Sequence, residues 1–198
     1  MKKSEATCRI IAGDLKNKPI LLPDTPETRP TKAIVRESLF NTLQQEVIGV
    51  PFVEVFAGSG SVGLEAASRG ASHVYFLEKG SLALKTLAEN IARLGIRDKA
   101  EVRRGDSFEE LPRILQILED HDEAAFFYVD PPFSIRENQE EIYDKTTDLI
   151  ASISPERALM IAVEHMTGVA FPGQIGGFTL EKSRKFGKTT LSYFLPAN

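Results

Sequence analysis

Residues 53–63 read Val53-Glu54-Val55-Phe56-Ala57-Gly58-Ser59-Gly60-Ser61-Val62-Gly63: an apolar stretch, a glycine-rich turn and the start of a helical pattern. Its three glycines have the spacing G-x-G-x-x-G. In that arrangement the missing side chains let a ligand approach the backbone, and the first N–H groups of the helix face it. The same spacing also occurs in plain strand-to-helix turns, so it is the strand before and the helix after that favour a ligand here.

Apolar and amphipathic segments alternate through the rest of the chain. The predicted strands are 52–56, 73–77, 100–104, 124–129 and 158–163, and the predicted helices are 61–68, 82–94, 108–120 and 137–152. This alternation predicts an α/β fold, in which helices cover both faces of a parallel sheet. Two β-rich stretches, 178–186 and 189–195, flank Gly187-Lys188 and predict an antiparallel hairpin that closes the sheet.

The first 30 residues differ from this pattern. Short strands are predicted at 9–12 and 19–22 around a turn rich in polar residues, so residues 1–30 are interpreted as a basic hairpin arm. Residues 31–198 would then form the main domain. Its first helix is expected to begin after Thr31 as N-cap and to carry apolar residues at helical spacing up to Leu43.

Composition limits the possible functions. The chain has 198 residues, enough for one core, and its net charge of −4 argues against holding nucleic acid by bulk charge alone. Yet residues 1–36 carry eight Lys or Arg against four acids, and residues 181–188 carry four against one. Two basic ends around an acidic body fit either a polyanion-binding surface or solvated lysines.

Other residue types indicate the setting. Apolar runs are too short to cross a bilayer, no export signal follows the first residues, and Cys8 is the only cysteine. We therefore expect a cytoplasmic, reducing location, without membrane or disulfide. The three histidines, His73, His121 and His165, are far apart and predict no metal site.

Acids follow two of the predicted strands. Glu78 stands twenty residues after Gly58, where a carboxylate accepts hydrogen bonds from the ribose hydroxyls of NAD or S-adenosylmethionine. Asp106 and Ser107 follow the next strand, where an acid either accepts from the adenine amine or caps a helix. These two sites do not distinguish the two cofactors.

The fourth strand ends in Asp130-Pro131-Pro132-Phe133, and this tetrapeptide favours S-adenosylmethionine. The nitrogen of an exocyclic amine on a base is a poor nucleophile until acceptors hold its hydrogens. Asp130 and the carbonyl of Pro131 are suited to that task, and Phe133 is suited to stacking on an extruded base. Two prolines fix the backbone there, and a hydride-transfer site has no evident use for such a motif.

The chain resembles the RsmD family of bacterial ribosomal RNA methyltransferases. The blocks that carry the resemblance are the Phe56–Gly60 loop, Asp130–Phe133, Arg9–Gly13, Arg29-Pro30-Thr31, Val35–Asn41, Gly63–Ala66, Ser68–Gly70 and Phe186-Gly187. The resemblance implies a Rossmann-like class I methyltransferase. It would transfer a methyl group from S-adenosylmethionine to N2 of one guanine, position 966, of 16S ribosomal RNA in the small subunit or its assembly intermediate. A monomer is expected.

The resemblance also assigns residues. Catalytic roles fall to Asp130, Pro131, Pro132 and Phe133. Cofactor contacts would come from Glu54, Phe56, Ala57, Gly58, Ser59, Gly60, Glu78, Asp106, Ser107, Asp130, Arg29 and Thr31. RNA contacts would come from Arg9, Lys16, Lys18, Arg29, Arg36, Arg184 and Lys185. Two positions depart from the family pattern, since Ala33 replaces an acid and Glu54 replaces Asp.

Three alternatives remain open. A DNA adenine-N6 or cytosine-N4 methyltransferase shares the Asp-Pro-Pro-aromatic chemistry, but 198 residues leave no room for a separate sequence-reading domain. An NAD-dependent oxidoreductase would use the glycine turn alone. A catalytically silent RNA-binding assembly factor would keep the cofactor fold without using Asp130.

Overall fold

The structure is a computed structural model, and it describes residues 6–23, 33–132 and 139–197, with backbone only for 139 and 140. The strands are β1 (Thr7–Arg9), β2 (Pro19–Leu21), β3 (Phe52–Val55), β4 (Val74–Glu78), β5 (Ala100–Arg104), β6 (Ala125–Val129), β7 (Ala158–Met166), β8 (Gln174–Ile175), β9 (Phe178–Phe186) and β10 (Thr189–Pro196). The helices are α1 (Ala33–Leu43), α2 (Ser61–Ser68), α3 (Ser81–Leu94), α4 (Ser107–Asp120) and α5 (Gln139–Ala151).

Eight strands form one sheet in the order β5-β4-β3-β6-β7-β10-β9-β8. The first five are parallel, while β10 pairs antiparallel with both β7 and β9. The predicted class, a parallel α/β sheet closed by an antiparallel hairpin, is confirmed. Because β3 and β6 are neighbours, the chain segments that follow them emerge side by side at the carboxyl edge of the sheet.

Some strand boundaries differ from the predicted ones. Strand β7 continues three residues past Val163 through the polar pair Glu164 and His165, which an apolar pattern does not reveal. Its backbone groups are nevertheless paired, because β10 runs alongside as far as Met166. The short strand β8 has only two residues and was not predicted.

The sheet separates two apolar clusters. One, here called the α1 side, contains residues of α1, α2 and α3, and the other, the α4 side, contains residues of α4 and α5. Successive strand residues alternate between them: Tyr128 packs on the α1 side and Val129 on the α4 side. All four residues of β3 are buried, as expected for a strand covered on both faces.

The N-terminal arm is packed onto the α1 side. Strands β1 and β2 form an antiparallel hairpin, as predicted, but β1 spans Thr7–Arg9 rather than residues 9–12. Ile10 and Ile20 are buried in the same cluster as α1. The buried Glu65 carboxylate accepts hydrogen bonds from the backbone of Ile11 and Ala12 at 2.8 and 3.0 Å. The arm thus shares its core with residues 33–197. The predicted division at residue 30 falls outside the described residues.

No helix in the described ranges combines the length and apolar character needed to span a membrane.

Candidate active site

Glu54 on β3 holds the start of α2, directly after the glycine turn. This residue is 3% exposed, and its carboxylate accepts hydrogen bonds from the backbone nitrogens of Val62 and Gly63 at 3.2 and 2.9 Å. Burial raises the pKa of Glu54 to about 8, against the lowering influence of those two N–H groups and of Arg36. Glu54 was predicted to contact the cofactor, and in this structure its carboxyl group fixes the start of α2.

Backbone geometry in the turn is specific. Phe56 has φ of 63°, a left-handed conformation that bulky residues rarely adopt, and its ring packs edge-on against Phe108 at 5.2 Å between centroids. Gly63 faces β4 so closely that a Cβ there would lie 2.5 Å from Phe76 Cε1. The first residue of the turn is therefore held in a strained state, and the last glycine allows α2 to pack on the sheet.

Glu78 connects the end of β4 to this turn. Its Oε2 accepts a hydrogen bond from the Gly58 nitrogen at 2.7 Å, and its Oε1 accepts from the nitrogens of Lys79 and Gly80 at 2.9 and 2.6 Å. A carboxylate has about four lone-pair sites, so three backbone donors leave capacity for one more. The side chain is half-buried at the carboxyl edge of the sheet.

Asp106 begins α4 as its N-cap. Its carboxylate accepts from Phe108 N at 3.1 Å and forms an ion pair with Lys79 at 2.9 Å. Partial burial raises the pKa of Asp106, but these two donors outweigh it and the net direction is downward. Ser107 is buried, and its hydroxyl donates towards the Leu77 carbonyl at 3.4 Å. The capping interpretation of Asp106 is thus confirmed, without excluding a ligand at the other carboxylate face.

Asp130 lies directly after β6. Its backbone nitrogen donates to the Val55 carbonyl at 3.3 Å, which ties it to the start of the glycine turn. Burial raises the pKa of Asp130 well above its usual range, and the nearby carboxylates of Glu164 and Glu54 raise it further. The following Pro131 is buried and Pro132 is exposed. The turn, Glu78 and Asp130 therefore share one edge of the sheet.

Sequence reasoning missed two polar residues beside this edge. Glu164 is 5% exposed near the end of β7, and its carboxylate accepts a hydrogen bond from the Tyr128 hydroxyl. Asn90 on α3 is buried; its amide pairs with the backbone of Leu21 at 2.8 and 3.0 Å and donates to the Ser59 carbonyl at 3.1 Å. In the sequence, Glu164 could have been noticed as an acid that directly follows a predicted apolar strand. No sequence pattern singles out Asn90.

One predicted RNA contact is wrong. Arg36 is 1% exposed, and its guanidinium donates to the Arg9 carbonyl at 2.8 Å and to Cys8 Sγ at 3.2 Å. A buried cation engaged in this way joins α1 to the arm and is not available to a phosphate. Three further predicted residues, Arg29, Thr31 and Phe133, lie outside the described residues.

The remaining predicted RNA contacts are exposed in two separate places. Lys16 and Lys18 lie in the turn of the arm, which meets α2 at Ser68, the end remote from the glycine turn. Eight helical residues span roughly 12 Å, so these lysines are well removed from Asp130. Arg184 and Lys185 lie on β9, where Arg184 donates to Ser38 Oγ at 3.1 Å.

A cavity of about 510 Å³ adjoins Asp106 between α4 and α5. It is lined by Asp106, Phe108, Glu109, Leu111, Pro112, Lys145, Asp148, Leu149 and Ser152. Phe108, which lines this cavity, also packs against Phe56 of the glycine turn. No cluster of three possible metal ligands is found within the ranges that the structure describes.

A family model described as Conserved hypothetical protein 95, the model of the RsmD family, matches residues 8–195. The chain belongs to the RsmD family. Ribosomal RNA small subunit methyltransferase D of Escherichia coli is 35% identical over 125 residues, which cover 63% of this chain and 60% of that protein. The matched region thus spans less than two thirds of that relative.

Other family relatives extend the likeness to nearly the full length. YlbH of Bacillus subtilis, which has a provisional name as an rRNA methyltransferase, is 28% identical over 192 residues, 94% of this chain and 97% of that one. The solved structure of yhhF from Escherichia coli, provisionally described as a methyltransferase, covers 97% of this chain and 99% of its own at a TM-score of 0.76 and 24% identity.

A more distant structure carries a bound product. An RNA methyltransferase from Salinibacter ruber, solved with S-adenosyl-L-homocysteine, covers 86% of this chain and 95% of its own, with a TM-score of 0.56 and 16% identity. At these identities the structural likeness establishes the class I methyltransferase fold, which agrees with the sheet order described above.

Proposed function

We propose that the chain transfers a methyl group from S-adenosylmethionine to the exocyclic N2 of a guanine, position 966, in 16S ribosomal RNA of the small subunit or its assembly intermediate. Membership of the RsmD family supports the class of reaction and of substrate. The observation that carries the proposal is the hydrogen bond between Asp130 N and the Val55 carbonyl, because it keeps a carboxyl group beside the glycine turn.

The residues of the turn fit S-adenosylmethionine. The Glu78 carboxylate retains acceptor capacity for one donor next to Gly58, which suits a ribose hydroxyl. Asp106 stands one strand further along, which suits the adenine amine. The strained φ of Phe56 is the kind of backbone outlier that collects at ligand sites. When bound, the cofactor supplies an electrophilic methyl group on a sulfonium.

Asp130 and the Pro131 carbonyl would act on the target amine. Each accepts one hydrogen of N2, so that the nitrogen lone pair is directed at the methyl carbon. The nitrogen would then take the methyl group that the cofactor supplies, the sulfur would leave as the thioether, and the amine would lose one proton. A carboxyl group with a raised pKa is suited to take up that proton. Positioning of the two reacting atoms contributes the rest.

Exposed cations would hold the RNA. Arg9, Lys16, Lys18 and Lys185 are exposed in the described part of the chain, and Arg184 is exposed beside α1. Their two locations suit an RNA surface that extends beyond the target nucleotide. Contacts of this kind set affinity and its salt dependence, while the groups around Asp130 select the base.

The decisive experiment is transfer of labelled methyl from S-adenosylmethionine to small ribosomal subunits from a strain lacking this modification. Modified subunits and duplex DNA are the controls, and the labelled nucleoside is identified. We expect N2-methylguanine on the unmodified particles alone. Label on duplex DNA would favour the DNA methyltransferase. Cofactor binding without transfer to any substrate would favour the silent assembly factor.

A further inference from the structure

Two carboxylates stand side by side at the candidate site. Strands β6 and β7 are parallel with Val129 opposite Val163, so Asp130 and Glu164 occupy the next register positions, and neighbouring strands lie about 4.8 Å apart. Val129 and Val163 face the α4 side, and Tyr128 and Ala162 face the α1 side. By alternation, Asp130 and Glu164 both project to the α1 side. The hydrogen bond from the Tyr128 hydroxyl to Glu164 agrees with that direction.

The two carboxyl groups also interact electrostatically. Glu164 is 5% exposed, and its charge opposes ionisation of Asp130. Ionisable groups that perturb one another in this way concentrate at functional sites.

The hydrogen-bond donors of guanine give a reason for a second carboxylate beside Asp130. The Watson–Crick edge of guanine presents two adjacent donors, the exocyclic N2 amine and the ring N1–H. Adenine presents an amine beside N1, which is an acceptor. A carboxylate next to the group that holds the amine would attract N1–H of guanine and repel the N1 lone pair of adenine. One carboxylate at the amine cannot make this distinction, because both bases offer an amine.

We propose that Glu164 is a specificity-determining residue that accepts the N1–H of the target guanine, beside the amine held by Asp130. Tyr128 is a positioning residue that orients the Glu164 carboxylate. This inference rests on the proposed transfer to N2 of guanine, and it adds which side chain chooses guanine. Sites built to hydrogen-bond a group reject analogues that lack it, because the buried partner is then left unpaired.

The test varies the base and the side chain together. Small subunits are reconstituted with 16S ribosomal RNA carrying guanine or 2-aminopurine at the target position, since 2-aminopurine keeps the N2 amine but lacks N1–H. We expect wild-type kcat/KM to fall roughly 10-fold to 100-fold on 2-aminopurine. 2-Aminopurine also lacks the O6 atom of guanine, so the base change alone does not show which contact is lost. Comparing wild type with Glu164→Gln on both bases shows how much of the loss depends on the Glu164 carboxylate. The variant should have a lower kcat/KM on guanine than the wild type, and its kcat/KM values on guanine and 2-aminopurine should be nearly equal.

Controls separate specificity from folding. Glu89→Gln makes the same chemical change at an exposed helix position and should keep the wild-type ratio. Thermal melting and S-adenosylmethionine affinity of Glu164→Gln should match the wild type. A wild-type ratio near one would overturn the inference without any variant, as would an unchanged ratio in a folded Glu164→Gln. Absence of wild-type transfer to guanine would instead overturn the proposed function.

Discussion

Glu78 Oε2 lies 2.7 Å from the backbone nitrogen of Gly58, so the carboxylate that ends one strand holds the glycine turn that follows its neighbour. The same carboxylate also accepts from Lys79 and Gly80. The shape of the turn therefore depends on an acid twenty residues away, and a change there affects both the loop and any ligand on it.

Replacement of Glu78 by Gln should weaken S-adenosylmethionine binding by roughly 10-fold to 100-fold, because an amide nitrogen cannot accept from the backbone donors that now share the carboxylate. Isothermal titration calorimetry measures the effect. Glu89→Gln changes an exposed acid on α3 and should leave affinity unchanged. Equal affinity of Glu78→Gln and wild type would remove Glu78 from the cofactor site.

Asp130→Ala should abolish methyl transfer while sparing cofactor affinity, since Asp130 is assigned to the target amine. A fall in kcat of at least about 100-fold is expected for loss of such a group. Single-turnover transfer and cofactor titration are measured on the same preparation, with Asp98→Ala as an exposed control. Loss of cofactor binding in a folded variant would mean that Asp130 serves the cofactor.

Stability should depend on pH through Glu54. Its pKa is about 8 in the folded chain against 4.5 ordinarily, so folding favours the protonated form. That contribution is complete below pH 4.5 and is lost as the pH rises through about 8, with an upper limit of about 5 kcal/mol. Glu54→Gln cannot ionise and should flatten the decline. Urea unfolding at several pH values measures the free energy of unfolding. If this free energy falls with pH equally in the wild type and in Glu54→Gln, the decline does not come from Glu54.

Gly63→Ala should lower the free energy of unfolding by about 1–3 kcal/mol, although alanine is the better helix former, because its Cβ would overlap Phe76. Gly173→Ala is the matched control, since no atom lies within 4 Å of a Cβ there. Chemical denaturation gives both values. A Gly63→Ala protein as stable as the control would show that α2 is free to move away from β4.

Replacing Lys16 and Lys18 together by Ala should weaken binding to small subunits several-fold without changing the melting temperature, because both side chains are exposed. The slope of log affinity against log salt should become shallower by roughly 0.7 for each lost phosphate contact. Filter binding across a salt series measures it, with Lys99→Ala as the control. An unchanged slope would show that these lysines do not contact RNA phosphates.

The sequence predicted the features that follow from periodicity and turn chemistry. Alternating apolar runs predicted the parallel sheet, and Gly187-Lys188 predicted its antiparallel end, both as observed. The roles of single polar side chains were less accessible. The contact that buries Arg36 depends on the folded position of the arm. Glu54 was assigned to the cofactor from the family resemblance, and its hydrogen bonds to the start of α2 depend on how the helix packs on the strand. Such roles arise from tertiary contacts between distant segments.

Asn90 has a practical consequence for truncation experiments. Its one amide bridges strand β2 of the arm and the carbonyl of Ser59 in the glycine turn. Deleting the arm would leave this buried amide without its Leu21 partners, next to the loop that is meant to hold the cofactor. A shortened chain would therefore lose both the RNA contacts of the arm and the hydrogen bonds that hold Asn90 beside the glycine turn. The contribution of the arm to RNA affinity has to be measured with point substitutions on its surface.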